Sequence, residues 1–211
     1  MIRVFIVDDH AVVRQGLRRI LDEAADIEFV GEAGDGGEAL KKIGKLGWDV
    51  MLLDISMPEK SGGDVLQQIR NENRDAGVLI LSMYEEDQYA VRLMKAGASG
   101  YLTKDVAPER LIDAIRIVAE GKKYISPALA ELLLYECSSD SAKPLHTSLS
   151  DREYQVLKLI GSGKQVSEIA DELSLSVKTI STYRTHILAK MKLKNNAEIT
   201  LYVIQNSLLK Q

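Results

Sequence analysis

The sequence predicts an α/β fold, a doubly wound, five-stranded parallel sheet, followed by a small all-α domain. Residues 2–121 alternate short apolar runs with longer segments whose apolar residues recur at helical spacing. The apolar runs lack polar alternation, which indicates strands buried on both faces, as in a parallel sheet covered by helices. Residues 150–208 contain helical spacing alone. A chain of 211 residues is long enough for two such domains.

Five strand–helix units account for the first domain. We expect its strands at residues 4–7, 28–33, 50–53, 78–81 and 100–102. We expect its helices at about residues 11–24, 37–46, 63–71, 87–95 and 108–120. In an open sheet of this kind, ligands bind at the carboxyl ends of the strands.

The chain divides into two domains joined by a linker. The first domain is expected at residues 1–125 and the second at residues 148–211. Between them, residues 126–147 form a linker that contains a short helix at about 128–135. The polar tract 138–144 is rich in the turn formers serine, aspartate and proline.

Four helices are expected in the second domain. The first opens with the S-x-x-E capping-box pattern of Ser150 and Glu153 and stops at the glycines of Gly161-Ser-Gly163. The others are expected at residues 166–173, at 177–191, and from Asn195 or Asn196 to about 208.

Composition and charge describe a soluble protein with two different halves. No apolar run approaches the ~20 residues that cross a bilayer, and the chain enters a strand without the regions of a signal peptide. A single cysteine, Cys137, cannot form an internal disulfide, so we expect a cytoplasmic protein without a membrane partner. Residues 148–211 hold nine Lys/Arg and six Asp/Glu, a net charge of +3, whereas the rest hold 18 and 25, a net charge of −7. This asymmetry indicates different partners for the two halves.

Polar side chains follow four of the predicted strands at the point where each strand ends. The acids Asp8 and Asp9 follow the first strand, and the acid Asp54 follows the third. The hydroxyl of Ser82 and the amine of Lys104 follow the fourth and fifth strands. Three neighbouring carboxylates repel one another, and a hard divalent cation such as Mg²⁺ removes that repulsion. Asp54, at the centre of the sheet, is the best nucleophile, with Lys104 and Ser82 placed to contact a phosphoryl group. The set predicts phosphoryl transfer to Asp54 to give an aspartyl phosphate.

These residues carry a resemblance to a known family. Residues 2–121 resemble the flavodoxin-like receiver domain of a two-component response regulator. The resemblance implies that Asp54 accepts phosphate from a sensor histidine kinase. It also implies that Asp9 and Asp54 bind Mg²⁺ together with the Ser56 backbone carbonyl, while Asp8 acts through water.

The same resemblance places two residues at switch positions. Ser82 and Tyr101 stand where, in this family, hydroxyl movement and aromatic burial report phosphorylation. One departure is visible, because Asp105 follows Lys104 where many receivers have proline.

The third helix of the second domain has opposite apolar and polar faces. Ile180, Tyr183, Ile187, Leu188 and Met191 share one face. From residue 178 to 194 there are five Lys/Arg and no acid. A short helix, a tight connection and a basic helix are typical of a helix-turn-helix, whose second helix enters the major groove of double-stranded DNA.

The segment from Leu149 to Leu193 is similar to the LuxR-type helix-turn-helix of NarL/FixJ-class response regulators. By that resemblance, Lys178, Thr179 and Lys190 contact backbone phosphates. The residues that face base edges are Ser181, Thr182 and Thr185, with Arg184 at their flank. Tyr183 replaces a common histidine of the family and Ser181 a frequent lysine.

The last helix is apolar on more than one face, so a second surface is needed to cover it. We expect Ile199 and Val203 to pair two DNA-binding domains, giving a homodimer on DNA, as the family resemblance also implies.

The sequence therefore predicts a phosphorylation-controlled transcription regulator, with no enzymatic turnover beyond slow loss of its own phosphate. In this class the receiver either masks the recognition helix or promotes DNA binding by dimerising, and both remain open here. Two alternatives are a phosphatase and a protein- or RNA-interaction module. The phosphatase is disfavoured because Ser56 stands where such enzymes commonly have a second acid. The RNA reader is disfavoured because the basic helix offers only Tyr183 for stacking.

Overall fold

A computed structural model describes residues 1–57, 60–72, 75–84, 88–138, 144–173, 175–206 and 208–209. The chain divides into two compact units, residues 1–137 and 138–211. Among the described helices, none combines the length and the apolar character that crossing a bilayer requires.

The first unit is built on a five-stranded sheet in which all strands are parallel. The strands are β1 (Ile2–Val7), β2 (Ile27–Ala33), β3 (Val50–Asp54), β4 (Gly77–Ser82) and β5 (Gly100–Thr103). Their order across the sheet is β2-β1-β3-β4-β5. Every residue of β3 and β4 is buried, as expected for inner strands covered on both faces. The predicted doubly wound parallel fold is confirmed.

Six helices accompany the sheet in the described part of this unit. They are α1 (Ala11–Asp22), α2 (Gly36–Ile43), α3 (Gly62–Glu72), α4 (Gln88–Lys95), α5 (Pro108–Ala119) and α6 (Pro127–Ser138). α2 ends before the predicted residue 46, because the chain turns at Gly44 and the Lys45 N–H donates to the Lys42 carbonyl. Residue 87, where α4 was predicted to start, lies outside the described residues.

The main core lies between one sheet face and the helices α1 and α5. It is formed by side chains from alternate strand positions and from these two helices, among them Val4, Ile6, Leu52, Leu79, Leu81, Leu21, Leu111 and Ile115. Burial of this apolar surface is the main driving force for forming the unit. The same packing fixes the strands whose ends carry the polar residues.

The second unit is helical. A short 3₁₀ helix at Leu145–Ser148, which the sequence did not predict, precedes α7 (Asp151–Gly161), α8 (Val166–Glu172), α9 (Val177–Met191) and α10 (Asn196–Gln205). The predicted capping box is present, since Ser150 Oγ accepts the Glu153 N–H and Glu153 Oε2 accepts the Ser150 N–H at 2.7 Å. α10 ends at Gln205 rather than near residue 208.

Candidate functional sites

The strand register brings the predicted acids of the first unit together. β1 and β3 pair with Val7 opposite Leu53, so Asp8 and Asp54 stand next to each other where the strands end. Both carboxylates are about 1% exposed. Ser82 pairs with Thr103 at the end of β5, so the following residue, Lys104, lies at the same edge.

Lys104 joins two of these acids. Its Nζ lies 2.6 Å from Asp8 Oδ2 and 2.9 Å from Asp54 Oδ2, and its side chain is only 8% exposed. The Lys104 backbone N–H donates to the Ser82 carbonyl at 2.7 Å, which holds the start of the loop against β4. A buried cation is thus fixed beside the predicted nucleophile.

Burial and the ion pairs together shift the pKa values of Asp54 and Lys104. It raises the pKa of the Asp54 carboxyl, and the Lys104 ammonium offsets that rise only in part. Burial also acts to lower the pKa of Lys104, but attraction to Asp54 and Asp8 outweighs it, so the pKa of this lysine is raised. Lys104 therefore remains an ammonium at neutral pH.

Backbone groups orient Asp54 from the opposite side. The Ser56 N–H donates to Asp54 Oδ1 at 3.1 Å. The first residue of α3, Gly62, passes so close that a Cβ there would lie 2.2 Å from the Asp54 carbonyl oxygen. The Gly62 N–H also donates to the Ile55 carbonyl at 3.2 Å. A glycine is therefore required for α3 to approach the end of β3.

The acid cluster suits a hard divalent cation. Asp8 Oδ2, Asp9 Oδ1 and Asp54 Oδ2 are buried and, apart from ion pairs with Lys104 and His10, have no hydrogen-bond partner among the described residues. Ligand atoms of Asp8, Asp9, Asp54 and His10 lie within 4.8 Å of one another. Clustered carboxylate oxygens are the ligands that Mg²⁺ prefers. His10 was not predicted to belong to this cluster.

The two predicted switch residues contact the same segment. Ser82 is fully buried, and its Oγ accepts the Tyr84 N–H at 3.0 Å. Tyr101 is also fully buried, and its hydroxyl donates to the Tyr84 carbonyl at 2.8 Å. Tyr84 therefore links both side chains at the point where the chain leaves β4.

In the second unit, α9 presents the predicted polar face. Ile180, Ile187 and Met191 are buried. The exposed positions of the predicted DNA-binding set are Lys178, Ser181, Thr182, Thr185 and Lys190, while Thr179 and Arg184 are half-buried. The Ser176 hydroxyl caps the helix by accepting the Thr179 N–H at 3.1 Å.

The hydroxyls on this face already donate within the helix. Thr182 Oγ1 donates to the Lys178 carbonyl at 3.0 Å, and Thr185 Oγ1 to the Ser181 carbonyl at 3.0 Å. In this conformation the two threonine oxygens present lone pairs outward, so they can accept hydrogen bonds from base amino groups.

Two of the predicted basic residues have partners within the unit. Lys190 Nζ lies 2.6 Å from Oε2 of Glu153, a buried carboxylate. The Arg184 Nε donates to the Asn196 side chain. The pKa of Glu153 would be raised by burial, but the Lys190 ammonium and the Ser150 N–H outweigh this and lower it. The sequence did not predict either contact.

The two residues predicted to mediate dimerisation do not lie on the surface of the unit. Ile199 and Val203 are fully buried within the unit. Val203 packs so closely on α7 that a Cβ at Gly161 would lie 2.6 Å from its Cγ1. The large apolar side chains exposed on α10 are instead those of Leu201 and Ile204, at 55% and 62%. Both side chains of the predicted pair, Ile199 and Val203, therefore belong to the core of this unit.

Two family models match the chain. Residues 4–116 match the response regulator receiver domain. Residues 147–203 match the bacterial regulatory proteins of the luxR family.

The chain is similar to curated proteins and to solved structures over nearly its whole length. It is 36% identical to the response regulator UvrY of Escherichia coli K12 over 209 residues, 99% of this chain and 96% of that protein. It is 37% identical to the oxygen regulatory protein NreC of Staphylococcus carnosus over 214 residues, 98% of this chain and 99% of that protein. A structure of RcsB from Salmonella enterica serovar Typhimurium, bound to promoter rprA in the presence of the phosphomimetic BeF3−, has a TM-score of 0.61 and 26% identity. That match covers 95% of this chain and 97% of that one.

Proposed function

The chain belongs to the NarL/FixJ family of two-component response regulators, and from that premise we propose that phosphoryl transfer from a sensor histidine kinase to Asp54 controls its binding to promoter DNA. The observation that carries the proposal is the position of Lys104, whose ammonium contacts both Asp54 and Asp8. A nucleophilic carboxylate, a cation and a hydroxyl converge at one edge of the sheet. Each has a separate role in accepting a phosphoryl group.

In the proposed transfer, an Asp54 carboxylate oxygen attacks phosphorus while the phosphorus–nitrogen bond of the kinase phosphohistidine breaks and the imidazole departs with the electron pair. The product is an aspartyl phosphate. Mg²⁺ held by Asp9, Asp54 and the Ser56 carbonyl, with Asp8 acting through water, would neutralise the crowded negative charge. Slow hydrolysis of the acyl phosphate would reset the protein.

Lys104 and Ser82 stabilise the negative charge of the transferred phosphoryl group. The ammonium pairs with phosphoryl oxygens, since it is already positioned beside the nucleophile. The Ser82 oxygen accepts the Tyr84 N–H through a lone pair, so its hydroxyl can still donate to a phosphoryl oxygen. The Lys104 ammonium is thus a preorganised donor, which needs no reorganisation when charge arrives.

The same residues supply a switch. A phosphate adds about −1.5 to −2 charge, and that charge competes with the existing partners of Lys104 and Ser82. Movement of Ser82 toward the phosphate breaks or shifts its bond with the Tyr84 N–H. Because Tyr101 bonds the Tyr84 carbonyl, the segment after β4 responds to the state of Asp54.

We assign DNA binding to the helical unit. Its recognition helix is α9, with Lys178, Thr179 and Lys190 on backbone phosphates. The base edges would be contacted by Ser181, Thr182 and Thr185, with Arg184 at their flank. Support comes from the matching RcsB structure, which is bound to promoter DNA. Lys190 would share its ammonium between Glu153 and a phosphate, because an ammonium has three N–H donors.

Pairing on DNA would use a different face of α10 from the one predicted. Leu201 and Ile204 lie three positions apart and are both exposed, so they form one apolar strip on the helix. A second copy of this chain would cover the strip when two half-sites are occupied. The homodimer therefore remains part of the proposal, with the contact residues changed.

Chemical phosphorylation directly tests the assignment of Asp54 as the phosphoryl acceptor. Wild-type protein, Asp54→Asn and the control Asp113→Asn, an exposed carboxylate on α5, are incubated with acetyl phosphate and Mg²⁺, and intact mass is measured. Wild type and the control should gain one acid-stable, base-labile phosphate, and Asp54→Asn should gain none. A phosphate of the same kind on Asp54→Asn would contradict the assignment.

A further inference from the structure

His10 reaches the acid cluster from the end of β1. It occupies the cap position before α1, but its side chain makes no hydrogen bond to that helix. The imidazole Nδ1 instead lies 2.8 Å from Asp9 Oδ1 and 3.4 Å from Asp8 Oδ1. The backbone also participates, because the His10 N–H donates to Asp8 Oδ1 at 2.8 Å. A fourth side chain with a potential ligand atom therefore belongs to this cluster.

These distances fit ligands of a single ion. Adjacent ligands of an octahedral ion with bonds of about 2.1 Å lie about 3 Å apart, and opposite ones lie about 4.2 Å apart. The two separations from His10 Nδ1, 2.8 Å and 3.4 Å, bracket the adjacent value. All four residues offer atoms within 4.8 Å of one another, so a small shift brings them around one centre.

His10 reaches the cluster from the solvent side, whereas Lys104 reaches it from the protein interior. The imidazole is 65% exposed, whereas the lysine is 8% exposed. The ammonium therefore neutralises the acids from within the protein, and the imidazole lies at the mouth of the site. Three carboxylates against one ammonium leave two negative charges in excess, which matches a divalent ion.

An imidazole changes which divalent ion the site prefers. Mg²⁺ favours oxygen ligands, whereas imidazole nitrogen suits Ni²⁺, Zn²⁺ and Cu²⁺. We propose that His10 is a direct ligand for a divalent transition-metal ion at the Asp8–Asp9–Asp54 cluster, so that this receiver binds such ions competitively with Mg²⁺. The inference rests on the proposed phosphoryl-accepting site and extends it to a second class of metal ion. The ion would bind Nδ1 of the neutral ring, with the ring proton on Nε2.

Calorimetric titration of the untagged full-length chain tests the inference. Wild type, His10→Ala and His186→Ala are each titrated with NiCl₂ and with MgCl₂. The quantity compared is the ratio of the Ni²⁺ affinity to the Mg²⁺ affinity. His186 is the matched control, because it is also an exposed histidine beside a carboxylate, Glu153, but lies on α9. The ratio should fall at least about tenfold in His10→Ala and stay unchanged in His186→Ala.

The outcomes separate this inference from the proposed function. A ratio unchanged in His10→Ala, or lowered equally in His186→Ala, would overturn the inference and leave Mg²⁺-dependent phosphorylation intact. Equal loss of both ions in His10→Ala would also overturn it, because His10 would then act only by orienting Asp8. Wild-type protein that bound neither ion and took no phosphate from acetyl phosphate would defeat the proposed function as well.

Discussion

The Lys104 ammonium lies 2.9 Å from Asp54 Oδ2, although β4 separates the strands that carry these two residues. The contact depends on the parallel register of three neighbouring strands, which brings their carboxyl ends to one edge. Since both groups are buried, the interaction is weakly screened by solvent. The cation that a phosphoryl group needs is therefore in place before the phosphoryl group arrives.

Lys104→Ala should destabilise the first unit most when no metal is present. Removing the ammonium leaves Asp8 and Asp54 buried without their cation, which costs about 3 kcal/mol of unfolding free energy. Saturating Mg²⁺ should restore part of that loss. Urea unfolding followed by the fluorescence of Trp48, the single tryptophan, reports on this unit. The control is Lys41→Ala at an exposed position of α2, and a loss as small as that control's would refute the expectation.

Gly62→Ala should both destabilise the first unit and slow phosphorylation. The added methyl would lie 2.2 Å from the Asp54 carbonyl oxygen, so α3 or the end of β3 must move, at a cost of about 1–3 kcal/mol. Gly16→Ala in α1 is the matched control, because a Cβ there has no neighbour within 4 Å. That change should stabilise the unit by about 0.5–1 kcal/mol. Urea unfolding and acetyl phosphate uptake measure both effects, and equal behaviour of the two variants would contradict the close approach.

Glu153→Gln should lower the unfolding free energy of the helical unit at neutral pH and have little effect on it in acid. The pKa of Glu153 is lower in the folded chain than in the unfolded chain, so its contribution is complete above the unfolded pKa of about 4.3 and is lost as the pH falls through the folded value. A loss of about 1–2 kcal/mol is expected at pH 7. Thermal unfolding by circular dichroism between pH 3 and pH 7 measures it. Glu168→Gln, an exposed capping glutamate on α8, is the control, and a pH-independent deficit for Glu153→Gln would exclude the ionic contribution.

Leu201→Glu and Val203→Glu should have opposite consequences. Leu201 is exposed, so Leu201→Glu should leave the unit folded but reduce cooperative binding to paired half-sites by placing like charges at the interface. Val203 is fully buried against Gly161, so Val203→Glu should unfold the unit. Circular dichroism and binding to DNA with one or two half-sites distinguish these results. Unchanged cooperativity in Leu201→Glu would remove α10 from the pairing model.

Local signals predicted much of the helical unit, but they did not settle which face of α10 is buried. α9 begins and ends where predicted, because Ser176 caps its start and Lys192 adopts a left-handed conformation at its end, with φ 56°. α10 has apolar residues on more than one side, so periodicity allows two buried faces. Packing against Gly161 selects the one with Ile199 and Val203, and that contact is tertiary.

At both candidate sites, the sequence likewise predicted many of the residues but missed contacts that depend on tertiary structure. Strand ends located the acids and Lys104, because a parallel sheet places those ends together. The partner of Lys190 is 37 residues away on another helix, so no spacing rule indicates it. His10 was missed although it directly follows Asp8-Asp9, because its involvement depends on how the chain turns between β1 and α1.

The most direct test of the central claim is the change in DNA affinity that phosphorylation of Asp54 causes. Fluorescence anisotropy is measured on DNA selected from a random library by the phosphorylated protein, before and after treatment with acetyl phosphate and Mg²⁺, for wild type and Asp54→Asn. The account predicts a shift of about 5- to 150-fold in the wild-type dissociation constant and no shift for Asp54→Asn. Wild-type protein that carried the phosphate yet bound DNA with unchanged affinity would contradict the account, as would an equal shift in Asp54→Asn.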